Sequence, residues 1–180
     1  INGNAHGSEG AGNEILKILK NEIHSTESGK IINFGSLDIE EIHLNNSNLT
    51  EANRLIYKNA FESFDKEKVV FLGGDHSISY PIGKAFLENF GVDDCFLIVF
   101  DAHADCMEPL EEPSHEEWLR ALIENGWKPE NVVLVGVRKI EPEELEFLKK
   151  NKIRYYDMNT ISNLEYFCDG LMESANRKNL

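Results

Sequence analysis

Along this chain, short continuous apolar runs alternate with stretches in which apolar residues recur every three or four positions. Asn13 to Ile23 puts Ile15, Leu16, Leu19 and Ile23 on one helical stripe. Glu51 to Phe64 does the same with Ala52, Leu55, Ile56, Ala60 and Phe64, and Thr50 stands where that helix needs a cap. A short strand is predicted at Ile31 to Gly35. Further helices are predicted over Pro81 to Phe90, from Ser114 to about Asn125, from Pro142 to about Lys150, and from Ser162 to about Ala175. Ser114 with Glu117 and Ser162 with Glu165 have capping-box spacing, and Pro142 suits a first helical turn.

The runs between these helices are Val69 to Gly74, Cys95 to Phe100, Asn131 to Val137 and Ile153 to Met158. They are apolar without alternation, as in strands covered on both faces. Such strands alternating with helices predict a doubly wound parallel sheet in a three-layer α/β/α arrangement. With 180 residues and no repeat, low-complexity tract or Pro/Gly/Ser linker, residues 1–180 are expected to form a single domain.

Charge narrows the function. Lys and Arg total 18 against 32 Asp and Glu, a formal net charge of −14, which argues against nonspecific binding to nucleic acid or anionic lipid. No run approaches the ~18 apolar residues of a membrane span. Cys95, Cys106 and Cys168 are isolated and lack C-x-x-C spacing, so a reducing, cytoplasmic setting is expected.

Two segments at predicted strand ends, where ligands bind in such sheets, carry unusual chemistry. Gly73-Gly74-Asp75-His76-Ser77 follows one strand and Asp101-Ala102-His103-Ala104-Asp105 follows another. In an extended backbone Asp101, His103 and Asp105 point the same way. Two carboxylates and an imidazole brought together are poorly stable without a cation. Their oxygen and nitrogen donors favour Mn²⁺ or a similar ion over structural zinc. His76 would face the same pocket, with Gly73 and Gly74 permitting a sharp turn and Asp75 orienting the loop or a ligand histidine. A phosphate-cradling loop is the alternative for GGDHS, but it lacks the Lys of a P-loop and the G-x-G-x-x-G spacing.

Leu72 to Ser79 (LGGDHSIS) followed by Phe100 to Cys106 (FDAHADC) resembles the arginase, agmatinase and formimidoylglutamase family of ureohydrolases. Val133 to Leu148 is similar to the family's next strand and helix, and Gly7 to Leu16 resembles the entry to its first helix. The resemblance implies an arginase-like fold and two Mn²⁺ ions that acidify a water for attack on a guanidino or amidino carbon. It places His76 and Asp105 on one ion, His103 on the other, and Asp101 between both. Asp105 would also accept a hydrogen bond from the nucleophile, and His115 would carry the proton to the leaving amine. A small cationic guanidino substrate such as arginine or agmatine follows, as does a homo-trimer or hexamer.

Two departures qualify that expectation. The family's Ser-x-Asp-x-Asp segment and its first strand have no counterpart here, so four of six protein ligands remain and the arginase-like domain is expected to be incomplete. The chain then reads either as part of a longer enzyme, weakly metal-binding and little active alone, or as an inactive member serving as a binding protein. A nucleotide-binding α/β protein is the third reading. The remaining candidates have plainer roles: His6, His24 and His43 as surface residues, Glu111, Glu112, Glu116 and Glu117 as a solvated rim, and Arg138 as a structural ion-pair residue.

Overall fold

Three parallel strands form the sheet in the order β1 (Leu97–Phe100), β2 (Val132–Val137) and β3 (Arg154–Asp157). The computed structural model describes residues 7–66, 68–161 and 164–175. The helices are α1 (Ala11–Asn21), α2 (Leu49–Ser63), α3 (Ser79–Phe90), α4 (Trp118–Glu124), α5 (Pro142–Asn151) and α6 (Leu164–Ala175).

β2 is the middle strand and is buried along its length, which explains its unbroken apolar sequence. Val132, Leu134 and Val137 face a core shared with Trp118, Leu119, Leu122 and Leu148, while Phe86, Leu87 and Phe90 of α3 pack against it. Val133 and Val135 face the opposite side, with Phe96, Leu171 and Ala175. Helices α3, α4 and α5 thus cover one face and α6 the other, the three-layer α/β/α arrangement that the sequence pattern predicts. Between Val135 and Val137 the register with β3 slips at Gly136, whose φ of +88° suits a residue without a Cβ. That slip returns Val137 to the first face.

Two predicted strands are not formed. At Ile31 to Gly35, the Asn33 side chain captures the Gly35 N–H at 3.1 Å and folds Phe34–Ser36 into a 3₁₀ turn. Ile31 makes only an isolated antiparallel bridge to Ser25. From Val69 to Leu72 side chains alternate inward and outward as in a strand, but no described strand pairs with them. Phe71 packs edge-on against Phe64, whereas Val70 is 82% exposed.

Helix ends were closer to expectation, with three differences. Asn48, two residues before Thr50, caps α2 by accepting the Glu51 N–H at 3.1 Å. Ser114 and Glu117 do pair, through Ser114 N–H and hydroxyl donors to Glu117 Oε2, but they close a turn and α4 begins only at Trp118. The α1 stripe is only half-buried at Leu16 and Leu19, and Ile15 is exposed. Pro142 opens α5 as expected, inside a capping box of Glu141 and Glu144. The Ser162–Glu165 pair lies outside the described residues. Among those residues no helix is long and apolar enough to cross a membrane.

Candidate metal centre

The carboxyl end of β1 delivers Asp101 to the edge of the sheet, its N–H still bonded to the Val135 carbonyl at 3.2 Å. There the strand stops. Asp101 Oδ1 accepts the His103 N–H at 2.9 Å, curling the chain, and the Ala102 carbonyl accepts the N–H groups of Arg138 and Lys139 at 2.8 and 2.9 Å. The D-x-H-x-D segment is therefore not extended, and it is the bent backbone, not strand alternation, that brings Asp101 beside both Asp105 and His103. Asp105 instead enters from a left-handed backbone conformation, φ +53°, uncommon for a residue with a Cβ.

His76 comes from the neighbouring segment. Asp75 accepts the Ser77 N–H at 3.0 Å and the Ser77 hydroxyl, capping the 3₁₀ turn His76–Ile78 that leads into α3. His76 Nδ1 pairs with Ser79 Oγ at 3.1 Å, and Nε2 lies 3.0 Å from Asp101 Oδ2. The glycines before it serve close approach rather than a left-handed turn. A Cβ on Gly73 would lie 2.1 Å from Ile78 Cδ1, and one on Gly74 would lie 2.5 Å from the Ser8 carbonyl oxygen.

Ligand atoms of His76, Asp101 and Asp105 lie within 4.8 Å of one another. Asp105 is 8% exposed, and burial pushes its carboxyl above the usual carboxylate range. The Trp118 indole N–H, donated to Asp105 Oδ2 at 2.8 Å, opposes that shift, and the neighbouring Asp101 charge adds to it. A desolvated carboxylate beside a second carboxylate and an imidazole is the setting a divalent cation relieves. The donor set suits Mn²⁺ or a similar hard-to-borderline ion.

The other predicted residues lie outside this three-residue group. His103 is largely exposed and outside the three-ligand group, though its Nδ1 is 3.4 Å from Asp101 Oδ1. His115 lies in the turn before α4, not in a helix, with Nε2 3.9 Å from Glu116 and a buried Nδ1 that has no hydrogen-bond partner. Of the predicted acidic rim, Glu112 accepts a bond from Asn53 Nδ2 at 2.7 Å and Glu117 is buried on Ser114, which leaves Glu111 and Glu116 exposed. Arg138 makes no ion pair among the described residues. It donates to the Gly136 carbonyl and borders an open depression of about 230 Å³ shared with Phe100 and Asp101. His24 and His43 are exposed, and His6 lies outside the described residues.

A sequence model of the Arginase family matches residues 3–178. The chain belongs to the arginase family. It is similar to an arginase of Staphylococcus aureus (strain COL), 29% identical over 150 residues, covering 72% of this chain and 49% of the relative. A mitochondrial arginase of Medicago truncatula is 32% identical over 151 residues, covering 77% of this chain and 44% of the relative. The chain thus spans about half the length of the curated arginases it matches. Among solved structures, the formimidoylglutamase of Bacillus subtilis superposes with a TM-score of 0.75 at 22% identity, over 91% of this chain and 52% of that one. A Trypanosoma cruzi formiminoglutamase solved with Mn²⁺ superposes with a TM-score of 0.73 at 17% identity, over 93% and 59% of the two chains. Both share the fold.

Three residues around the arginase-family motifs were not singled out from sequence. Ser79 fixes the His76 ring, Trp118 touches both His76 and Asp105, and Glu144 accepts the Cys106 N–H at 2.9 Å. Pro142 marked this helix start in the sequence, but the reach of Glu144 to a loop 38 positions away was not visible there.

Proposed function

We propose that this chain carries part of the active site of a manganese-dependent hydrolase that cleaves a guanidino or amidino C–N bond in a small cationic substrate. The convergence of His76, Asp101 and Asp105 within 4.8 Å is the observation that carries the reading. Family membership supports hydrolysis, and the donor set supports a divalent metal.

When bound, such an ion supplies an acidified water and charge neutralisation. His76, Asp101 and Asp105 would hold it, with His103 available beside Asp101 for a second. Ser79 keeps the His76 ring from rotating by engaging Nδ1, so Nε2 remains the ligand nitrogen. His115 has a half-exposed ring in the turn before α4, which suits passing a proton to the departing amine. The acidic surface favours a cationic substrate.

The second reading is an arginase-fold protein that binds metal without turnover. The position of His103 outside the three-ligand group favours it. Incubation of the purified chain with Mn²⁺ and arginine, agmatine or formimidoylglutamate separates the two. Release of urea or formamide that requires Mn²⁺ and is lost in His76→Ala supports the hydrolase. Stoichiometric Mn²⁺ binding with no product from any of the three supports the non-catalytic protein.

A further inference from the structure

We propose that Trp118 is a positioning residue for the metal centre, holding Asp105 through its indole N–H and His76 through its ring. The inference rests on the metal-binding reading of those two residues and extends it to a side chain that touches no ion itself.

The two tryptophans of the chain provide an internal contrast. Both are 3% exposed and both border the same core. Trp127 Nε1 is buried with no hydrogen-bond partner, as in a residue retained for its apolar bulk. Trp118 Nε1 donates to Asp105 Oδ2 at 2.8 Å. Its ring also stacks on His76, with centroids 5.2 Å apart and planes 12° from parallel. One rigid side chain at the start of α4 therefore contacts two ligands from separate segments, the 3₁₀ turn before α3 and the loop after β1.

The backbone around it reinforces the arrangement. The Leu119 N–H donates to the Asp105 carbonyl at 3.2 Å and the Met107 N–H to the Glu116 carbonyl at 3.1 Å, so the start of α4 and the 105–107 loop are clasped together. Asp105 has a left-handed backbone, unfavourable for a residue with a Cβ, which its surroundings must offset. With the indole on Oδ2, Asp105 Oδ1 is the oxygen with no hydrogen-bond donor among the described residues. Asp105 is thereby oriented, with one oxygen occupied by protein and the other left for an ion.

The test compares wild type, Trp118→Phe and Trp127→Phe for Mn²⁺ affinity, read from the free-ion electron paramagnetic resonance signal, and for stability in urea. Trp118→Phe keeps a ring to stack on His76 but removes the N–H. The expected result is a Mn²⁺ affinity about tenfold or more weaker in folded Trp118→Phe and unchanged in Trp127→Phe. The Trp127→Phe protein supplies a second readout without altering Trp118. Its single tryptophan should be quenched as Mn²⁺ saturates the site and recover with EDTA. Wild-type-like Mn²⁺ affinity in folded Trp118→Phe, or no quenching while Mn²⁺ binds, would overturn the positioning role and leave the metal site standing. Absence of Mn²⁺ binding in wild type would overturn both.

Discussion

Glu144, on the first turn of α5, accepts the backbone N–H of Cys106 at 2.9 Å. Its other oxygen accepts the Glu141 N–H at 2.8 Å, so one buried carboxylate both caps a helix and fixes the loop that follows Asp105. Replacing it with alanine leaves the Cys106 N–H buried without an acceptor. We expect Glu144→Ala to lose about 1–3 kcal/mol in urea unfolding, and Glu144→Gln, which keeps one acceptor oxygen, to lose less.

Gly74 packs where the Ser8 carbonyl crosses it, and the two segments meet directly before His76. A methyl there cannot fit without moving backbone. Gly74→Ala should cost about 1–3 kcal/mol and weaken metal binding by displacing the His76 turn. Gly10, with open space around its added Cβ, is the control, and Gly10→Ala should change stability by no more than about 0.5 kcal/mol. Paired urea titrations measure both.

Asp157, at the end of β3, accepts the Thr160 hydroxyl and the Thr160 N–H on Oδ1 at 2.6 and 2.7 Å. The hydroxyl bond first, then the backbone bond, holds its carboxyl below the usual range. A carboxyl lowered on folding stabilises the native state above its ordinary value, and that contribution fades as pH falls through the lowered value. Asp157→Asn should therefore flatten the loss of stability below about pH 4, with wild type and variant converging in acid. Urea midpoints between neutral and acid pH give the comparison.

The fold was legible where burial alone dictates sequence. β2 is covered on both faces, and its run of Val and Leu showed that without an alignment. Val69 to Leu72 carries the same composition, yet local sequence contains no information about whether a neighbouring strand is present to pair with it. Ile31 to Gly35 failed for a local reason, since the Asn33 side chain competes for the Gly35 N–H. At the site, His76, Asp101 and Asp105 were identifiable because ionisable residues directly after apolar runs are chemically conspicuous. The extended backbone expected past Asp101 is not formed, because a short carboxylate side chain bonds its own backbone two residues on. Trp118 was invisible as a site residue, since a tryptophan at the start of an apolar helix reads as core until its N–H is seen on Asp105.

Mn²⁺ titration followed by the free-ion resonance signal shows whether His76, Asp101 and Asp105 hold a divalent cation. Chelator-stripped protein should bind Mn²⁺ at one equivalent or more, with affinity falling about tenfold or more in His76→Ala and in Asp101→Ala, at least the loss expected for an outer-shell partner. His24→Ala, altering an exposed histidine remote in sequence from both motifs, should bind as wild type does. Equal affinities in wild type, His76→Ala and Asp101→Ala would contradict the account.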